Sequence, residues 1–191
     1  MTLFDNLLEQ SARRHQHLCP RQVLGVRMGL YAGKLLGLEL PQTNKRLITL
    51  IETDGCLLDG VAVATGCNPG RRTLCVQDYG KMAATFVDGH TGRALRIAPQ
   101  ADARLQCLSF VDWSPDRWQA YLQGYQVLAD EVLLLARPVS LNFSLADLIS
   151  SESARAVCQA CGEEIFNQRE VRIGESCLCR ACAGQAYYKS L

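Results

Sequence analysis

Two Cys-x-x-Cys pairs near the carboxyl end, Cys158-Gln-Ala-Cys161 and Cys179-Arg-Ala-Cys182, carry the clearest chemistry in the chain. A Cys-x-x-Cys turn sets two sulfurs on one side of a tight loop, and two such turns supply the four thiolates that tetrahedral Zn²⁺ prefers. Gly162, directly after the first pair, suits the backbone geometry of such a turn. Between the pairs, Glu164 to Cys177 alternates weakly and carries Gly174 at a turn, which reads as a β-hairpin. Ala181 to Leu191 has few helix breakers and reads as a terminal helix headed by Cys179 and Cys182. Pair, hairpin and ligand-bearing helix together describe a treble clef zinc finger. A segment this short lies under the roughly 40 residues below which a core alone usually fails, so metal is expected to hold it together. Cys177 makes one thiol more than a tetrahedral site needs. It is assigned to strand packing, because Cys179 rather than Cys177 forms a Cys-x-x-Cys pair with Cys182.

A second constellation lies near the amino end. His15-Gln-His17-Leu-Cys19-Pro20 puts three candidate ligands within five residues, and in an extended segment residues two apart point to one side. Cys19 then precedes a helix whose dipole favours an anion. Thr53-Asp54-Gly-Cys56 repeats the arrangement, a cysteine in the first turn of a helix that follows a strand. If the two helix starts meet, His17, Cys19 and Cys56, joined or replaced by His15, could hold a second divalent metal, zinc by preference, with one position open to water or substrate. Asp54 and Asp59 are candidates to orient a ligated imidazole, although Asp54 serves equally as a helix cap. Cys67, in Thr65-Gly-Cys67-Asn-Pro-Gly70, could join the rim of the same site, or simply belong to a turn that ends the helix. If the core site is catalytic, Cys19 is the candidate nucleophile, His15 the proton carrier and Lys81 the stabiliser of an anionic substrate. The plain alternative is that the histidines are surface groups and the cysteines pack. Cys75 and Cys107 read as strand cysteines, and His90 as the tip of a hairpin.

The elements that must place these groups are legible from patterning. Thr2 and Asp5 form a capping box ahead of a first helix that ends near the histidines. Pro20 opens a second helix through Val23, Leu24, Met28, Tyr31 and Leu35, along which Gly25, Gly29, Gly33 and Gly37 recur every fourth residue and invite close approach by a neighbour. Leu47 to Thr53 reads as a buried strand, followed by the helix containing Cys56, Leu57, Val61 and Val63. Thr73 to Gln77, Lys81 to Val87 and Arg93 to Ile97 read as strands, the last two joined through Asp88-Gly-His-Thr-Gly92. Ser114-Pro115 starts a long helix with Trp118, Tyr121, Tyr125, Leu128 and Leu133 at helical spacing, an aromatic stripe assigned to core or subunit interface. The order gives an α+β fold, helices packed on a mostly antiparallel sheet, with the finger as a small appendage. The expected boundaries are a core over residues 1–136, a linker over 137–155 and the finger over 156–191.

The 191 residues carry a formal net charge of +1, and acidic and basic residues also balance inside the finger, which disfavours nucleic acid as a partner. No apolar run approaches a spanning helix and the amino terminus has no signal-peptide pattern, so a cytoplasmic protein without membrane association is expected. Ten cysteines clustered as pairs and beside histidines then indicate reduced, metal-binding thiols rather than disulfides.

Taken together, His15-Gln-His-Leu-Cys-Pro20, Glu52-Thr-Asp-Gly-Cys56 with Asp59, Thr65-Gly-Cys67, Asp78-Tyr-Gly-Lys81 with Thr85-Phe86, and Thr91-Gly92 resemble the formylmethanofuran dehydrogenase E-subunit family. The terminal Cys-x-x-Cys pairs resemble the auxiliary finger that some members carry. The resemblance implies an α+β core associated with metal, a treble clef appendage, a homodimer, and an accessory role beside a molybdenum or tungsten oxidoreductase in one-carbon metabolism related to methanogenesis. The chain departs from the family motif at Gln16 and Arg21, where the family often has glycine; the larger side chains narrow the expected site. Two further readings stay open: a metal-dependent enzyme acting on a small ligand, and a protein-interaction module whose core cysteines only pack.

Overall fold

The computed structural model describes residues 1–110, 116–145 and 155–189. The chain divides into two compact units, residues 1–141 and 142–191.

The first unit opens with helix α1 (Leu3–His15), whose start is closed by reciprocal bonds: the Thr2 amide donates to Asp5 Oδ2 at 2.8 Å and the Asp5 amide to Thr2 Oγ1 at 3.1 Å. Helix α2 (Pro20–Leu36) follows, with proline at its first position and Gly37 in the left-handed conformation at its end. Strand β1 (Leu47–Ile51) leads into helix α3 (Cys56–Thr65), and β2 (Leu74–Val76), β3 (Ala84–Asp88) and β4 (Ala94–Pro99) come next. Helices α4 (Ala103–Phe110), α5 (Arg117–Val127) and the single turn α6 (Asp130–Leu133) precede β5 (Leu134–Val139). The sheet order is β2-β1-β3-β4-β5, with only the β1–β2 pair parallel. An α+β fold on a mostly antiparallel sheet is therefore what forms.

Helix α2 is the axis of this unit. Val23, Leu24, Val26 and Met28 are fully buried on it, each worth about 1.5–3 kcal/mol relative to exposure. Its glycines permit close contact with a neighbour. A Cβ on Gly25 would stand 2.9 Å from the Val61 amide nitrogen, and one on Gly60 would stand 3.0 Å from both Gln22 C and Val26 N. Backbone therefore meets backbone where α2 crosses α3, and this crossing places the two helix starts side by side.

Two features of this unit depart from the pattern-based expectation. The long helix breaks at Leu128, which is extended, and the chain resumes as α6 and then as β5, so Arg137 to Val139 belong to the sheet. The expected start of that helix at Ser114-Pro115 lies outside the described residues. Cys107 is on α4, not on a strand, where it fills the space left by Gly124 of α5 and where burial pushes its thiol up to about 11.

In the second unit β6 (Arg155–Val157) pairs with β7 (Glu164–Phe166), and β8 (Val171–Ile173) pairs with β9 (Ser176–Leu178) across the left-handed Gly174. The expected terminal helix is a single turn, Ala181–Gln185, interrupted at Gly184 with φ 87°; residues 190 and 191 lie outside the described set. Among the described residues, no helix is long and apolar enough to cross a membrane.

Candidate functional sites

The ligand atoms of Cys158, Cys161, Cys179 and Cys182 all lie within 4.8 Å of one another. The first pair sits in the β6–β7 turn, where the Gly162 amide donates to the Cys158 carbonyl at 2.9 Å and Gly162 adopts φ 78°. The second pair sits at the start of the terminal turn, where the Cys182 amide donates to Cys179 Sγ at 3.4 Å. Gln159 bridges the two hairpins: its amide donates to the Cys177 carbonyl at 2.9 Å and its Oε1 accepts from the Cys177 amide at 3.0 Å. Cys177 thus serves through its backbone on β9 and stands outside the quartet.

Cys161 Sγ and Cys179 Sγ are 4.0 Å apart. A tetrahedral ion with metal–sulfur bonds near 2.3 Å needs sulfurs about 3.8 Å apart, so the spacing fits. Amide hydrogen bonds, that of Cys179 first and then that of Cys161, lower the Cys158 thiol to about 6. Crowding by Cys179, then Cys158 and Cys161, pushes Cys182 up to about 12. Four sulfurs so close cannot all ionise without a cation among them, and the quartet could hold a metal ion.

In the first unit, α2 and α3 bring Cys19 and Cys56 together. Buried Gln22 fixes the Cys19 corner: its Oε1 accepts from the Cys19 amide at 2.7 Å while its Nε2 donates to the Ser11 carbonyl at 2.8 Å, tying α1 to the start of α2. Burial, and then a hydrogen bond with Cys19, raise the Cys56 thiol above its ordinary value. Both cysteines line a cavity of about 410 Å³ that Trp118, Tyr121 and Tyr125 of α5 line as well. Of the aromatic stripe assigned to core or interface, Tyr125 and Leu133 are in the core and Tyr121 and Leu128 pack against it, while Trp118, Tyr121 and Tyr125 also line this cavity. Arg27 holds α5 in place, donating to the Tyr125 carbonyl at 2.9 Å, the Leu128 carbonyl at 2.7 Å and Asp130 Oδ1 at 2.7 Å.

The remaining candidates spread around this pair. His15 Nε2 lies 2.5 Å from Asp59 Oδ2, and Arg14 stands 3.9 Å from the same carboxylate. His17 is exposed, with Nδ1 2.9 Å from the His15 carbonyl. Asp54 is exposed, and Gly55 rather than Asp54 occupies the cap position of α3. Cys67 is buried against β1, donating to the Leu47 carbonyl at 3.3 Å and accepting from Thr49 Oγ1 at 3.5 Å, so it belongs to the core and not to the cavity rim. His15, His17, Cys19 and Cys56 do not converge as a ligand set; among the described residues, the carboxyl-terminal quartet alone has three or more such atoms within 4.8 Å.

Pattern reading passed over Glu52 as a working residue. Its carboxylate accepts from Arg96 Nε at 2.6 Å and Arg96 Nη2 at 2.7 Å, and its carbonyl accepts from the Tyr79 amide at 3.0 Å and the Lys81 amide at 3.1 Å. Glu52 thereby anchors the loop that carries Lys81. Lys81 itself lines a neighbouring cavity with Arg21 and Arg104, and not the one that holds the thiols.

Fold and sites together define an α+β protein with a cysteine pair at adjoining helix starts and a separate four-cysteine metal site. Residues 14–120 match the family model described as FmdE, molybdenum formylmethanofuran dehydrogenase operon, and the chain belongs to that family. A stretch of 99 residues is 36% identical to a protein of Archaeoglobus fulgidus described as a probable S-adenosyl-L-methionine-binding protein. That stretch is 50% of this chain and 27% of the relative, so the likeness spans about a quarter of the relative's length. The crystal structure of a tungsten formylmethanofuran dehydrogenase FmdE-like protein from Syntrophus aciditrophicus matches with a TM-score of 0.65 at 23% identity, covering 97% of this chain and 95% of that one. The fold is shared across both units' length.

Proposed function

We propose that the chain is a zinc-binding accessory protein of one-carbon metabolism that works beside a molybdenum or tungsten oxidoreductase, as a cytoplasmic homodimer. The observation that carries the reading is the meeting of Cys19 and Cys56 at two helix starts, on a cavity, in a chain of this family. Zinc occupies the four-cysteine site and holds the second unit folded. A second divalent metal, zinc again, would be held by Cys19 and Cys56, with His17 as a further ligand if its exposed ring turned inward and with His15 held by Asp59 beside it. Two thiols and an imidazole leave a coordination position for water or a small ligand from the cavity. That metal would supply Lewis-acid polarisation of whatever it binds.

Metal content per chain, measured on protein purified without added metal and on Cys19→Ala and Cys56→Ala, tests this. Two metals falling to one in either variant is the expected result. One metal per chain in all three proteins, unchanged after incubation with zinc, overturns the core site and moves the reading to an interaction protein. Native pull-down of a molybdenum or tungsten oxidoreductase tests the accessory role; no stable partner of that class overturns it.

A second reading is favoured by the cavity itself and by the Archaeoglobus fulgidus relative, whose description is that of a small-molecule binder. In it the core site would be catalytic, with Cys19 as the candidate nucleophile toward a ligand held in the cavity and His15 as its proton carrier, and a metal held by the cysteine pair would supply Lewis-acid activation. Turnover that is lost in Cys56→Ala but kept after Cys179→Ser would select it.

A further inference from the structure

The cavity that holds the thiols does not end at them. A second cavity of about 500 Å³ shares Arg21, Met82, Arg104 and Tyr125 with the first, so the two form one cleft with two compartments. The first compartment is lined by Cys19 and Cys56 together with Trp118 and Tyr121. The second adds Lys81 to the two shared arginines.

Charge in this cleft runs one way. Among the described residues, neither compartment is lined by an aspartate or a glutamate. Arg21, Arg104 and Lys81 are exposed, and among the described residues none of them is salt-bridged to a carboxylate. Arg21 also stands in the first turn of α2, where no acidic side chain accompanies it and where the helix dipole disfavours a cation. The start of α3, with Cys56 at its head, adds a second positive helix end to the same cleft. Three cations and two helix ends, with no acidic side chain among the described residues of the lining, give the cleft a field that draws an anion.

The aromatic wall sets the rest of the ligand. Tyr121 and Tyr125 stack with centroids 6.1 Å apart and planes 15° from parallel, and the Arg104 guanidinium lies 5.9 Å from the Tyr121 ring. A flat apolar body laid along these rings gains stacking and places its charged end at the arginines.

We propose that this cleft binds a small anionic molecule, a carboxylate or a phosphate ester carrying a planar body, with the anion at Arg21, Arg104 and Lys81 and the planar body between the α5 aromatics and the Cys19–Cys56 pair. The proposal rests on the core site being the functional one, and it deepens that reading by naming the ligand class. Arg21, a departure from the family motif, then gives this chain a preference for charge that a glycine there would lack.

Calorimetric titration of the full-length, metal-loaded protein tests it with two pairs of probes, adenosine monophosphate against adenosine and benzoate against benzamide, and with inorganic phosphate alone. The charged member of at least one pair binds tenfold or more tighter than its neutral partner, and which pair responds distinguishes phosphate from carboxylate. Arg104→Ala and Arg21→Ala each weaken that binding by roughly tenfold, as expected for loss of one charge-assisted contact. Tyr121→Ala weakens the planar probe and leaves inorganic phosphate unchanged, while Arg13→Ala, on the exposed face of α1, changes nothing. No binding by either charged probe at millimolar concentration overturns the proposal, as do equal affinities within both pairs or arginine variants that bind like the parent. These outcomes are separable from failure of the metal site. Two metals per chain with no probe binding sinks the ligand class alone, and charge-selective binding with one metal per chain sinks the core metal alone.

Discussion

Gly60→Ala bears on the contact that sets the cysteine pair in place. A Cβ at this position enters the space of the Gln22 carbonyl oxygen and stands 3.0 Å from both Gln22 C and Val26 N, all of them backbone groups that cannot rotate away. Restoring an ordinary carbon–oxygen approach of about 3.3 Å requires α2 and α3 to part by about 1 Å. Overpacking of this kind costs typically about 1–3 kcal/mol, and a clash with main chain falls at the upper end. Alanine returns about 1 kcal/mol through helix propensity, leaving a net loss near 2 kcal/mol. For a chain of this size that lowers the thermal midpoint by about 4–8 °C. The same movement separates Cys19, three residues before Gln22, from Cys56, four residues before Gly60, so core metal content falls with stability. Thermal melts followed by circular dichroism, with metal analysis of the same samples, check both. Gly70→Ala is the control, because a Cβ there meets only Asn68 Oδ1 at an ordinary 3.5 Å. A Gly60→Ala protein as stable as the parent, or more so, would refute the claim that backbone contact at this crossing positions the site.

Other perturbations follow from the same contacts. Chelation, or Cys179→Ser, raises amide exchange through residues 155–189 and leaves the β1–β5 sheet protected; unchanged exchange after verified metal removal contradicts a structural metal, whose binding contributes on the order of 10–16 kcal/mol in comparable fingers. Asp88 is buried, accepts from Arg46 at 2.9 and 2.8 Å, from the His90 amide at 3.0 Å and from the Thr91 hydroxyl at 2.9 Å, and the Arg46 guanidinium holds its carboxyl well below the usual range. Because the folded value is depressed, its contribution is present above the unfolded value of about 3.9 and is lost as pH falls through the lower folded value. Asp88→Asn therefore costs about 2 kcal/mol at neutral pH, discounted from the buried-pair range for the partial exposure of Arg46, and the gap to the parent narrows in urea melts below about pH 4. Glu52→Gln weakens the fork to Arg96 and costs about 1 kcal/mol or more in urea melts, while the Tyr79 and Lys81 amides, which donate to the main-chain carbonyl of residue 52, stay protected from exchange; a variant as stable as the parent contradicts a stabilising fork.

Local chemistry in the sequence determined a good part of this protein. Thr2 and Asp5, Pro20 and the left-handed Gly37 fix where α1 and α2 begin and end, because caps are satisfied within a few residues of where they are read. The four-cysteine site was legible for the same reason: each Cys-x-x-Cys turn is a local structure, and the quartet needs only two of them to meet. Helix and strand share apolar runs, however, and Leu133-Leu134-Leu135 satisfies either; it continues the pattern of α5, yet pairing with β4 makes most of it a strand. Cys107 likewise depends on Gly124 of another helix, which no window around it contains. The cleft is the farthest from legibility. Its walls come from the start of α2, the start of α3, the loop at Lys81, α4 and α5: Gly25 and Gly60 let two backbones touch and so bring Cys19 to Cys56, while Arg27 ties α5 to α2 and Gly124 seats α5 on Cys107 of α4, which brings Arg104 to Arg21. Sequence specifies which groups are present and how each turn closes; their convergence is a property of packing between segments, set by contacts that local spacing does not encode.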